Sequence, residues 1–202
     1  MTRILTLALL TLALVLAGCA HPRISVPVVD DSVEAGGTVQ AGGKPVKLLS
    51  EGGVMKVGKP IAPFLKGLDG GEGFVGKVAI INIVPSIDTA VCEEQSHVLS
   101  ESKTIAPGVA RVSISRDLPM AQARFAKDAK LTNISYISDF KTASFGKSSG
   151  LIMDGSTLLA RAIVVVDKQG IIRHMQIVPN VATLPNLEKA IVVANNLEND
   201  KK

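Results

Sequence analysis

Two β-branched apolar runs, Val78 to Val84 (VAIINIV) and the VVV-centred stretch Arg161 to Asp167 (RAIVVVD), most narrow what this chain can fold into. Strands that are apolar at successive positions, not at alternate ones, are buried on both faces of a sheet. Val109 to Ser115 is a third run of this kind. Segments with helical spacing alternate with these strands. One covers about Val91 to Ile105, with Val91, Val98, Leu99 and Ile105 as its apolar positions. Another opens with Asp117 and Pro119 and carries Ala121, Phe125 and Ala129 on one face, and a last one over about Pro185 to Leu197 aligns Leu187, Ile191, Ala194 and Leu197. Asp167-Lys168-Gln169-Gly170 joins RAIVVV to the Ile171 to Ile177 segment as a β-hairpin turn. The order βαβαβ, then hairpin, then helix predicts an α/β protein. Its mixed central sheet is parallel in its first part and antiparallel in its last, with helices on both faces.

The N-terminus follows different rules. Arg3 precedes an uncharged, largely aliphatic stretch from Ile4 to Leu16, followed by Ala17, Gly18 and Cys19, which is the layout of a secretory signal. At about 1.5 Å per residue this stretch spans roughly 20 Å as a helix, short of the ~30 Å hydrocarbon core, so cleavage is expected and not permanent membrane spanning. Leu16-Ala17-Gly18-Cys19 resembles the lipobox of bacterial lipoproteins. That resemblance implies a signal peptide over 1–18, acylation of Cys19 as the first mature residue, and a lipid anchor in the cell envelope. Ala20 in place of Asp points to the outer membrane, with the protein on its periplasmic side. Residues 19–43, rich in Pro, Gly and acids without sustained periodicity, read as a flexible tether, and 44–202 as the folded domain.

The composition closes off several function classes. The 22 Lys and Arg against 18 Asp and Glu leave a formal charge of +4, but the basic residues form no stripe and the aromatics are five Phe and one Tyr, scattered, so no nucleic-acid groove is expected. Three scattered histidines, His21, His97 and His174, give no metal-ligand spacing, and no phosphate loop or dinucleotide fingerprint is present, so neither metal nor cofactor is expected. Two cysteines are too few for a disulfide scaffold.

Cys92 is the residue placed for chemistry. It follows the first long strand through Pro85-Ser86-Ile87-Asp88-Thr89-Ala90-Val91 and falls in the first turn of a helix. Unpaired backbone N–H groups and the positive end of the helix favour an anion there, and the thiolate is the reactive form of cysteine. Thr89, three residues earlier, is in range to offer its hydroxyl, and Pro85 ends the strand beside the site. Taken alone, Cys92 is equally compatible with a small buried apolar residue.

Pro85, Thr89 and Cys92 match the Pro-x-x-x-Thr-x-x-Cys signature of the peroxiredoxins, and NIVPSIDTAVC (82–92) resembles the thiol peroxidase subfamily in particular. Gly43-Lys44-Pro45-Val46 is similar to that subfamily's N-terminal β-hairpin, SRDLPMAQARF (115–125) to its Asp-Leu-Pro segment, and Leu159-Ala160-Arg161-Ala162 to the strand that carries its active-site arginine. The resemblance covers about residues 40–197. It implies a thioredoxin-like fold, hydroperoxide as substrate and a homodimer. By the same resemblance Cys92 is the peroxidatic nucleophile, Thr89 and Arg161 activate it, and Pro85 shields it. Attack on an O–O bond suits these residue types, because it needs a thiolate, a fixed positive charge and donors for the departing oxygen.

One departure changes the expected cycle. Where many thiol peroxidases carry a resolving cysteine after the Arg-Phe pair, this chain has Ala126, and no cysteine follows Cys92. The expectation is a one-cysteine mechanism in which a sulfenic acid is reduced by an external thiol, either a small molecule or a thioredoxin-like protein, with overoxidation as its hazard. A thioredoxin-fold lipoprotein that senses or binds without turnover is the alternative. Glu93 and Glu94 are expected to face solvent, and His97, about 140° around the helix from Cys92, to take no part as a base.

Overall fold

The computed structural model describes residues 24–200; the expected leader and Cys19 lie outside the described residues. The first buried run forms β4 of the central sheet. In chain order the elements are β1 (Val28–Val29), β2 (Thr38–Ala41), β3 (Lys44–Leu49), α1 (Ala62–Leu65), β4 (Ala79–Ile83), α2 (Ala90–Glu101) and β5 (Ala110–Ser115). They continue with α3 (Pro119–Asp128), β6 (Ser135–Ser138), α4 (Ser144–Ser149), β7 (Ile152–Met153), β8 (Ala162–Val166), β9 (Ile172–Ile177), β10 (Leu184–Pro185) and α5 (Leu187–Asn199).

The five-stranded sheet has the order β6-β5-β4-β8-β9. β4, β5 and β6 are parallel, β8 is antiparallel to β4, and β9 is antiparallel to β8. Alternation along β4 assigns its two faces. Ala79, Ile81 and Ile83 join the core that holds Phe64 and Leu65 of α1 and Phe145 of α4, whereas Ile80 joins the core formed with Leu99 of α2 and with α5. All five β4 side chains are inaccessible to solvent, which is why the run carries no polar alternation. At about 25 cal/mol per Å² of apolar surface, this doubly covered layer is the main source of stability.

Between α3 and β8 lie β6, α4 and β7, which the hydrophobic pattern does not announce. β6 reads SYIS and α4 reads SFGKSS. Their burial comes from neighbours in space, as with Phe145, wholly buried in α4. The α2 helix stops at Glu101, short of the expected Ile105. Arg111 accounts for this, because its Nη1 donates to the Leu99 and Ser100 carbonyls at the helix end. α5 begins at Leu187, after the expected Pro185, because Pro185 belongs to β10 and Asn186 caps the helix by accepting from the Lys189 backbone N–H at 2.9 Å.

The expected tether through residue 43 needs correction. The folded region starts well before Lys44: Thr38–Ala41 pairs with Lys44–Lys47 across Gly42 and Gly43, both in the left-handed region at φ 57° and 76°. Those glycines make the two-residue turn of a hairpin, not a linker, and Val39 buries its side chain. Upstream of the hairpin, β1 pairs in parallel with β10. Gln176 Nε2 donates to the carbonyls of Val29 at 2.7 Å and Asp31 at 3.1 Å.

Candidate active site

The site forms where β4 ends and α2 begins, at the C-terminal ends of the parallel strands. Pro85, two residues after the end of β4, is buried. Thr89 is the N-cap residue of α2, in extended backbone at φ −135° and ψ 141°. An N-cap hydroxyl ordinarily accepts from a backbone N–H of the first turn. Here no such bond forms, and Thr89 Oγ1 lies 2.9 Å from Cys92 Sγ, positioned to donate to it. The first-turn N–H groups therefore stay available to negative charge at the sulfur.

Arg161, just before β8, supplies the other contact. It is 2% exposed, and its Nη2 lies 3.3 Å from Cys92 Sγ. Its Nε donates to the Val181 carbonyl at 2.7 Å and its Nη1 to Gln95 Oε1 at 2.7 Å. Those two partners are neutral oxygens, so the guanidinium charge is fixed in orientation without being cancelled. A buried cation needs a counter-charge, and the sulfur, as thiolate, is placed to be one.

Cys92 itself has no exposed surface and packs with Val84 and Ile87, against Ala121, Phe125 and Tyr136. Phe125 and Tyr136 meet edge to face with centroids 6.0 Å apart. Burial pushes the Tyr136 hydroxyl up to about 12, with Ser96 acting in the opposite direction. The Cys92 carbonyl accepts from Ser96 Oγ at 2.9 Å, and Asn82 of β4 reaches Ser96 and Ser113 through its Nδ2 at 3.4 and 3.2 Å. This buried polar bridge ties the first turn of α2 to the sheet.

Thr89 and Arg161 are thus brought into direct contact with the Cys92 sulfur, and Pro85 is buried in the segment between β4 and α2. Three residues to which the sequence assigns no role at the site join them. Gln95, wholly buried, holds Arg161 through its Oε1 and the Ala162 carbonyl through its Nε2; it stands one helical turn after Cys92, which is the signal that points to it. Asn82 and Asp117 are the others. Asp117, expected as a helix opener, instead accepts from Ser86 Oγ at 2.7 Å and from the Ile87 N–H at 2.8 Å, which pins the loop that carries Thr89. His97 points away to Glu101 at 2.7 Å and Glu93 at 3.7 Å, and Glu93 is partly exposed. Among the described residues no group of three His, Cys, Asp or Glu side chains is arranged to hold a metal ion.

A model of the Redoxin family matches residues 66–191. The thiol peroxidase of Staphylococcus saprophyticus is 37% identical over 122 residues, covering 60% of this chain and 74% of that protein. The Staphylococcus aureus (strain COL) thiol peroxidase is 35% identical over 124 residues, covering 61% and 75%. Among solved structures, a peroxiredoxin-like protein from Aquifex aeolicus superposes with a TM-score of 0.62 at 28% identity, over 79% of this chain and 96% of that one. The thiol peroxidase from Chromobacterium violaceum superposes at 0.63 over the same shares with 16% identity, a likeness of fold.

Proposed function

The chain belongs to the Redoxin family, in its thiol peroxidase branch, and from that premise we propose that Cys92 reduces hydroperoxides by a one-cysteine cycle closed by an external thiol. The fold is the thioredoxin-like fold of the peroxiredoxins, and the activity is thiol-dependent reduction of peroxide.

The observation that carries the residue assignment is the pair of donors on one buried sulfur, Thr89 Oγ1 at 2.9 Å and Arg161 Nη2 at 3.3 Å. The thiolate attacks the terminal peroxide oxygen, the O–O bond breaks, and Cys92 becomes a sulfenic acid. The departing alkoxide or hydroxide takes up a proton. Thr89 and Arg161 are held in place before the reaction, so they are ready to stabilise charge as it moves from sulfur to oxygen. Because the sulfur has no exposed surface, substrate reaches it by movement of the exposed turn at Asp88, Thr89 and Ala90. Among the described residues Cys92 is the one cysteine, so an outside thiol reduces the sulfenic acid. A second peroxide arriving first converts it to sulfinic acid. The test is hydroperoxide consumption in dithiothreitol for the wild type and for Cys92→Ser. Consumption confined to the wild type is expected, and equal rates would sink the assignment.

The lipoprotein reading is supported by the leader and by the lipobox-like Leu16 to Cys19, and Ala20 in place of Asp favours the periplasmic side of the outer membrane. Among the described residues no helix is long and apolar enough to cross a membrane. Intact mass of membrane-extracted protein should carry acyl chains at Cys19; a free thiol there removes the anchor. A homodimer is supported by exposed apolar side chains at one end of the sheet, Leu118, Met120 and Phe140. Sedimentation should report a dimer that Met120→Glu weakens.

A further inference from the structure

Closing the cycle requires a thiol from outside, and the surface next to Cys92 sets terms for it. A groove of about 460 Å³ separates the turn before α2 from the outer side of α3. Ala90, Ala121 and Ala129 leave it open between the apolar walls of Ile87 and Phe125. Thr89 lines the same groove, and its hydroxyl is the one that touches Cys92 Sγ at 2.9 Å. The groove therefore leads to an exposed side chain in direct contact with the reacting sulfur. Its volume is that of a small-molecule site.

The charge in the groove is lopsided. Asp88, Glu93, Asp117 and Asp128 line it against Arg124 alone. Asp117 is engaged by the Ser86 hydroxyl and the Ile87 N–H and Glu93 lies 3.7 Å from His97 Nε2, which leaves Asp88 and Asp128 as the carboxylates that face an incoming molecule. Within a Debye length of about 8 Å at physiological salt, such a lining repels anions and concentrates cations.

We propose that this groove admits the reducing thiol and selects a small thiol with a positively charged group beside its sulfur over an anionic one. The inference rests on the peroxidase function above and adds the chemical class of the second substrate. The reductant's thiolate attacks the Cys92 sulfenic sulfur, an S–S bond forms, and the S–O bond breaks. The oxygen leaves as hydroxide and is protonated to water. A second molecule of the same thiol then attacks the reductant's sulfur in that mixed disulfide, and releases the Cys92 thiolate and the small-molecule disulfide. Two thiols lose the two electrons that the sulfenic acid gains.

The test starts from the full chain, oxidised with one equivalent of hydrogen peroxide and no thiol, with the Cys92 sulfenic acid quantified as its dimedone adduct by peptide mass spectrometry. Its decay is then timed with cysteamine, 2-mercaptoethanol and 3-mercaptopropionate, each rate corrected to thiolate concentration. Cysteamine should exceed 3-mercaptopropionate by about tenfold at low ionic strength, and the ratio should shrink in about 0.5 M salt. Comparing the ratio within each protein cancels any general loss of reactivity. The ratio should fall toward one in Asp88→Asn/Asp128→Asn and rise in Arg124→Gln. If sulfenic acid forms but the three thiols react alike, or if the double variant keeps the wild-type ratio, the groove has no such role while the peroxidase function stands. If no sulfenic acid forms, both are overturned.

Discussion

Charge on Arg161 is the quantity that residue-scale substitutions at the site should perturb. Its Nη1 meets the neutral Oε1 of Gln95 at 2.7 Å, so Gln95→Glu puts a carboxylate where an amide oxygen stood and draws the guanidinium charge away from sulfur. We expect kcat/KM for hydrogen peroxide to fall by about tenfold, and the pH at half-maximal rate to move upward, in stopped-flow assays with saturating dithiothreitol. Gln95→Leu should also lower the rate, by loss of orientation, but without the same movement of the pH profile. Identical profiles for the two variants would reduce Gln95 to a packing residue. Arg161→Lys keeps the charge but loses the planar fork that holds the Val181 carbonyl, Gln95 and Cys92 together. It should cost on the order of 10²-fold in kcat/KM.

Access is decided at the scale of elements. The turn that covers Cys92 is held to the segment before α3 by one carboxylate, that of Asp117 on Ser86 and Ile87. Asp117→Ala releases both contacts, each worth about 1–3 kcal/mol when a partner is left unsatisfied. Alkylation of Cys92 by iodoacetamide should then accelerate by about tenfold or more, with faster amide exchange over residues 86–90. Unchanged alkylation would mean that the turn opens independently of this latch. On the far edge of the sheet, His174 of β9 buries an Nε2 that has no hydrogen-bond partner. Burial, and then Lys189 of α5, push its imidazole below the ordinary value. The native protein thus binds fewer protons than the unfolded chain at and below about pH 6.5, so stability present above that pH is lost as pH falls through the native value. Asp139 acts in the opposite sense, because burial raises its carboxyl despite the Phe145 and Gly146 N–H groups that it accepts from. Folding therefore favours the protonated form of Asp139, and its contribution to stability grows as pH falls toward the ordinary aspartate range. Urea midpoints from pH 7.5 to 5 should decline for the wild type and flatten for His174→Leu; parallel curves would rule the histidine out.

Over the whole molecule, the N-terminal segment is fastened across the end of the sheet through Gln176, which is 3% exposed. Its Nε2 serves the carbonyls of Val29 and Asp31, and its Oε1 accepts from the Asn186 N–H. Gln176→Leu strands these groups and should cost about 2–3 kcal/mol, read as a lower urea midpoint with amide exchange appearing first over residues 28–33. A loss confined to that segment without global destabilisation would show the strap to be an independent unit. Local sequence determined β4 and β8, because burial on both faces leaves runs such as AIINI and AIVVV with no polar alternation. It also determined α2, α3 and α5, from helical periodicity, and the Pro85, Thr89 and Cys92 group, which lies within eight consecutive residues. Short elements such as α4, SFGKSS, were not legible, because their burial depends on what packs over them and not on their own pattern. The same limit applies to Gln95 and Asp117, whose roles lie in partners far along the chain. Arg161 and Cys92 are 69 residues apart, and resemblance pairs them in the sequence without giving a distance. Only the sheet does that: the antiparallel register sets Ala162 opposite Ile83, so Arg161 emerges beside the end of β4 where the chain turns toward Cys92, and a backbone ladder fixes what no local pattern encodes.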